Sequence, residues 1–155
     1  MTPLDLMDDL KNFLEQVVHE YSLESKASPD KIPQVVLGWL PAKGETKKDD
    51  ETSNPDFPYV VAQLESWDDD DSSKATVSLQ IGTYSKLMDG WRDTVNVMTR
   101  IRMALLTQRV IGKRFRLELP IHSELFDEQP YPYWIGAMTT NWTIPQPQEV
   151  IKEDE

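Results

Sequence analysis

A catalytic protein needs a nucleophile, a base or a metal, and this sequence offers few groups that can serve. It has no cysteine, which removes disulfides and thiolate metal sites, and its histidines are His19 and His122 alone. His19 falls late in an amphipathic run, where a histidine ordinarily sits at the surface and complements the helix dipole. His122, Ser123 and Glu124 are the residue types of a hydrolase triad. Adjacent residues of an extended segment point to opposite faces, however, and cannot assemble a triad among themselves. Asp68, Asp69, Asp70 and Asp71 offer hard oxygen ligands for calcium or magnesium, but they lack the spacing, central glycine and closing glutamate of a calcium loop. Consecutive carboxylates at a turn ordinarily stay solvated. The stretch "VIGKRF" lacks the glycine five residues upstream that a phosphate loop requires, and Gly82 and Gly90 match no dinucleotide fingerprint. The expectation is therefore a protein with no catalytic residue, no metal and no cofactor.

Charge is the more informative feature. The net charge of -11 argues against general affinity for nucleic acid, because phosphate binding needs clustered cations. Yet from Arg92 to Arg116 the chain carries Arg92, Arg100, Arg102, Arg109, Lys113, Arg114 and Arg116 against Asp93 alone. That balance of +6 leaves -17 elsewhere, a segregation that suits either nucleic acid or an acidic protein surface.

The elements that must position these charges are legible from periodicity. Thr2-Pro3 is an N-cap candidate with proline at the first helical position, and Asp5, Asp8 and Asp9 follow where the dipole favours acids. Leu6, Leu10, Phe13, Leu14, Val17 and Tyr21 then form one apolar stripe, predicting a helix from Pro3 to Tyr21. "IPQVVLGWLP" reads as a short strand. The polar run from Ala42 to Asp56 has no periodicity, is too long for a routine connection, and is expected to be mobile. "YVVAQLESW" and "KATVSLQIGTY" read as an antiparallel hairpin about "DDDDSS". A second helix is expected from Asp89 to Gln108, on the stripe Trp91, Val95, Met98, Ile101, Leu105 and Leu106, with Gly112 as its stop. Arg102 falls on the apolar side of that helix, where an arginine ordinarily snorkels to solvent; because a lone buried cation is costly, a carboxylate partner, Glu65 or Glu118, is expected for it. "RFRLELP" is a strand that "IHSELF" continues after a break at Pro120, and a last strand runs from Tyr133 to Ile144.

Two helices with grouped strands between and after them predict an α+β fold, a mostly antiparallel sheet with both helices packed on one face. At 155 residues this is one domain, residues 1–147, followed by an exposed acidic tail, 148–155. No leader pattern and no apolar run long enough to cross a bilayer is present, so a soluble protein made inside the cell is expected. The last strand is unusual in its aromatics. Alternation places Trp134, Met138, Trp142 and Ile144 on one face and Tyr133, Ile135 and Ala137 on the other, with Pro130 and Pro132 fixing an extended approach. Both faces need cover at the start of that strand. The helices should supply one; the other falls either to the chain's own core or to a neighbouring copy meeting Tyr131 and Tyr133.

Taken together, "GTYSKLMDGWRDTVNVMTRIRMAL", "RFRLELP" and "EQPYPYWIGAMTTNWTIPQP" resemble the tail-terminator and tail-to-head joining proteins of long-tailed bacteriophages and prophages. The likeness covers Phe57 to Pro147, and "QPYPYW" followed by "TTNWTIP" is its most specific part. It implies a structural protein without enzymatic activity, assembled as a ring, usually of six copies, that caps the polymerised tail tube and meets the head connector. DNA would pass through the centre without specific binding. Partners would be further copies, the tail-tube protein and connector proteins, with no membrane. The location would be the host cytoplasm during assembly and then the virion neck. On this reading Arg100, Arg109, Lys113, Arg114, Arg116, Tyr131 and Tyr133 are the candidate interface residues. Two alternatives stand beside it: a head-to-tail connector binding a different ring, and a nucleic-acid-binding accessory protein using the basic segment 92–116.

Overall fold

The structure, a computed structural model, describes residues 2–25, 32–40 and 56–152. The loop expected to be mobile lies outside the described residues except for Asp56, as does the end of the acidic tail. In chain order the elements are α1 (Pro3–Ser25), β1 (Gln34–Leu37), β2 (Tyr59–Asp69), β3 (Ser73–Tyr84), α2 (Trp91–Thr107), β4 (Val110–Ile111), β5 (Phe115–Leu125) and β6 (Tyr133–Ile144).

Helix α1 starts as its sequence predicts. The Thr2 N–H donates to the Asp5 carboxylate at 2.8 Å and the Asp5 N–H donates back to the Thr2 hydroxyl at 3.3 Å, a reciprocal cap. The bond from the Thr2 backbone holds the Asp5 carboxyl below its ordinary range. Leu6, Met7, Leu10, Leu14, Val17 and Val18 are buried, and the helix runs one turn beyond Tyr21.

The strands form one six-stranded sheet in the order β1-β2-β3-β6-β5-β4, antiparallel except for β1 beside β2. Both helices pack on the same face, which makes the fold α+β as expected. That face is built by alternation: Val60 and Ala62 of β2, Ala75, Val77, Leu79 and Ile81 of β3, Phe115 and Leu117 of β5, and Met138, Trp142 and Ile144 of β6. Strand β5 continues through Pro120 with a register irregularity between Glu118 and His122, so the expected break is a kink within one strand.

Helix α2 differs from the expectation in its rotation. Its buried residues are Thr94, Val97, Met98, Ile101 and Leu105, while Trp91 is exposed. Thr94 can be buried because its hydroxyl donates to the Trp134 carbonyl at 3.2 Å and lies 2.7 Å from the Thr83 hydroxyl. The rotation carries Arg102 out to solvent, and neither Glu65 nor Glu118 pairs with it. An exposed arginine needs no buried counter-charge, so the predicted pair does not form. Gly112 does not stop this helix, which ends at Thr107. It sits instead in the turn between β4 and β5 at φ +61°, against the Asp9 carboxylate of α1. Strand β4, two residues long, gave no periodic signal.

Candidate assembly surfaces

The face of the sheet away from the helices has two halves. At one end Phe57, Tyr59, Tyr84 and Tyr133 form an aromatic cluster, with ring centroids 4.4 Å apart for Phe57 and Tyr133 and 5.4 Å apart for Tyr84 and Tyr133. The cluster lies over Gly82, where a Cβ would come within 2.5 Å of the Tyr59 ring and 2.7 Å of Phe57. Tyr59 is buried, accepts a 3.1 Å bond from Gln80 Nε2, and has its phenol pKa raised, chiefly by burial. Toward the other end the same face becomes a polar ladder. Thr76 donates to Asn141 at 3.0 Å, Thr143 donates to Glu118 at 3.0 Å, and Arg116 lies 3.9 Å from the same carboxylate.

Tyr133 is thus half-buried under the chain's own Phe57 and Tyr84, which meets part of the need for cover within the monomer. Tyr131 is exposed. The approach to β6 is a turn rather than an extended run, closed by the Tyr133 N–H donating to the Pro130 carbonyl at 2.9 Å. That turn points Tyr131 sideways, where its hydroxyl donates to the Lys86 carbonyl at 2.6 Å and its ring meets Trp134 edge-on. Trp134 Nε1 donates to the Ser85 carbonyl at 3.0 Å, so residues 85–90 and 130–134 are tied together. This tie presents Leu87, Met88, Trp91 and Tyr131 as an exposed apolar rim at the end of the sheet. Leu87 and Met88 were missed in the sequence. Their signal was an apolar pair inside the polar connection "SKLMDGW".

The sheet brings some of the basic residues together and disperses the rest. Lys113, Arg114 and Arg116 gather at the β4–β5 turn, whereas Arg100 lies on α2 beside Phe13, Gln16 and Glu20 of α1. Several are already engaged. Arg109 donates to the Leu117 carbonyl through Nε and Nη2, both at 3.1 Å, and Arg114 lies 3.5 Å from Asp9 and 5.0 Å from the Phe115 ring centroid. The register places this basic turn at the same end of the sheet as the acidic hairpin tip Asp68–Asp71, on the opposite flank. Three strand spacings, ~14 Å, separate β2 from β5.

His122 and Glu124 share the open face of β5 with 3.8 Å between their nearest side-chain atoms, and Ser123 points to the other face. His19 is exposed on α1. Among the described residues no three His, Asp or Glu side chains gather as metal ligands, and no helix is long and apolar enough to cross a membrane. No protein-family profile matches the sequence, and no curated protein matches it. Solved structures do match. One overlays 86% of this chain and 98% of its own with a TM-score of 0.49 and 12% identity.

Proposed function

We propose that this chain is a structural phage tail assembly protein whose copies join flank to flank in a ring that terminates the tail tube and meets the head connector. The observation that carries the reading is the placement of opposite charges on opposite flanks of one sheet. The acidic tip Asp68–Asp71 stands at the β2 flank and the basic turn Lys113, Arg114 and Arg116 at the β5 flank. A surface with unlike flanks joins head to tail, and head-to-tail contacts close into rings when the rotation permits. The sequence resemblance supplies the tail and the connector as partners. The apolar rim of Leu87, Met88, Trp91 and Tyr131 supplies a surface for them, because exposed apolar patches of this kind mark protein contacts.

The test is the mass in solution, measured alone and after mixing with polymerised tail-tube protein. A ring mass in either condition, lost when Asp70 and Asp71 are changed to Lys and regained when Lys113→Glu and Arg114→Glu accompany them, is the expected result. A chain that stays monomeric in both conditions sinks the reading. Binding to DNA-filled heads but not to tail tubes would replace the terminator with a connector. The nucleic-acid alternative is less favoured, because the chain carries a net charge of -11 and the acidic tip Asp68–Asp71 stands at the same end of the sheet as the basic turn, where it would repel phosphates. A filter-binding titration in which affinity falls steeply with salt would revive it.

A further inference from the structure

The two flanks of the sheet are incompletely closed, and on the β5 flank the gap is shaped. Strand β4 pairs only with Phe115 and Arg116, and the Arg109 guanidinium occupies the Leu117 carbonyl just beyond. The next stretch is blunted by Pro120, which lacks an N–H, and by the register irregularity around it. From His122 to Leu125 the strand is regular again, paired to Thr139–Gly136 of β6 on its inner side and, among the described residues, to nothing on its outer side. Beside that bare edge runs a groove of about 230 Å³ between α2 and β5, lined by Val95, Met98, Thr99 and Arg102 from the helix and by Ser123, Glu124 and Leu125 from the strand. Its floor is apolar. Arg102 stands exposed at its side and makes no ion pair among the described residues. Glu124, the other charged residue of the lining, is turned to the open face beside His122, so the helix side of the groove presents one cation. A strand edge beside it with apolar lining fits an extended segment whose apolar side chains enter the groove and whose carboxylates face Arg102.

The chain carries such a segment. After β6 the Gln146 amide donates to the Asp70 carbonyl and the Ser73 hydroxyl, at 2.9 and 3.2 Å, and this pins the chain beside the acidic hairpin. Beyond it Val150 and Ile151 are 80% and 81% exposed, two β-branched side chains in the run "QEVIKEDE", whose four acids outnumber its one lysine. They cannot reach their own groove. Ile151 lies five residues past the pinned Gln146, a reach of ~17 Å. The near end of the groove, at Ser123 opposite Met138, is six β6 residues from Ile144, ~20 Å away, and its far end is farther still.

We infer that the groove between the His122–Leu125 edge and α2 receives the segment around Val150-Ile151 of a second copy as an added antiparallel or parallel strand, with Arg102 facing its carboxylates. The inference deepens the self-association proposed above and rests on it only for the identity of the occupant.

The groove can be read without any ring. A fluorescently labelled peptide of residues 145–155 is titrated into a chain that ends at Pro147, with anisotropy as the signal. Saturable binding is expected, weakened at least tenfold by Arg102→Glu in the protein or by Val150→Asp with Ile151→Asp in the peptide. Strand addition also predicts that N-methylation weakens binding at only one of the Val150 and Ile151 amides, since alternate N–H groups face the partner. Arg102 is exposed, so the variant should fold, and circular dichroism checks that it does. No binding, binding indifferent to these changes, or equal loss at both amides would overturn the inference. So would a full-length monomer that excludes the peptide, which would mean a chain filling its own groove. Rings that form normally from the shortened chain would also overturn it while leaving the proposed function standing.

Discussion

The two faces of β6 are made from the same alternating strand and end in different states. On the helix face Trp142 and Met138 are fully buried, and Trp142 Nε1 donates to the Thr140 hydroxyl, which in turn donates to the Val77 carbonyl at 2.8 Å. On the open face Tyr133, Ile135, Ala137, Thr139, Asn141 and Thr143 are all half-buried, covered by their cross-strand neighbours and, at one end, by the aromatic cluster. Stability and room for recognition therefore reside on different surfaces of the sheet. The helix face is closed by two helices and is fixed by packing, whereas the open face and the flanks keep surface available for another molecule.

The largest loss is expected at Trp142, at the centre of the helix face. Trp142→Ala should cost about 3–5 kcal/mol, from the lost indole and the cavity left under the helices. Thr139→Ala, three residues away on the open face, should stay within about 0.5 kcal/mol. Urea denaturation of both variants measures the ratio, and similar costs would show that the two faces are equally packed. Next in size is Gly82→Ala. Its Cβ would meet the Tyr59 and Phe57 rings at less than 3.0 Å, so a loss of about 1–3 kcal/mol is expected, and a neutral result would mean that the cluster shifts freely.

Thr140→Val tests a polar link inside the helix face. It leaves the buried Trp142 N–H without an acceptor, and a loss of about 1–3 kcal/mol is expected from thermal and urea melts. Tyr59 gives a smaller, pH-dependent effect. Its phenol pKa is raised in the fold, mainly by burial, so the folded state holds its proton more tightly than the unfolded chain. The stabilisation is present below the ordinary tyrosine pKa of about 10 and is lost as pH rises through the higher folded value. Tyr59→Phe should therefore flatten the alkaline decline in melting temperature, and an unchanged slope would place the titration elsewhere. The smallest effect is expected at Arg102. Arg102→Met removes an exposed side chain and should alter stability by no more than about 0.5 kcal/mol. A large loss would restore the buried ion pair that the sequence alone suggested.

The outcome at Arg102 marks the limit of sequence reading for this protein. Periodicity determined that α1, α2 and the long strands exist, because the residues that repeat every two or every 3.6 positions are those that must leave water. Alternation also determined the two faces of β6, and residue type the Thr2 cap, since both depend on neighbours close in sequence; the reciprocal bond between Thr2 and Asp5 came from the structure. The angle at which α2 turns its stripe toward the sheet was decided elsewhere. The wheel favoured Trp91, but Thr94 is buried because the Trp134 carbonyl and the Thr83 hydroxyl, distant in sequence, satisfy its hydroxyl. Strand β4 exists because β5 offers an edge, the β4–β5 turn takes glycine at 112 because φ is positive there and Asp9 of α1 leaves no room for a side chain, and Tyr131 faces outward because its turn closes on Pro130. The charge segregation was visible as a count. That its opposite signs stand on opposite flanks followed only from the strand order, which is set by long-range pairing that no local pattern encodes.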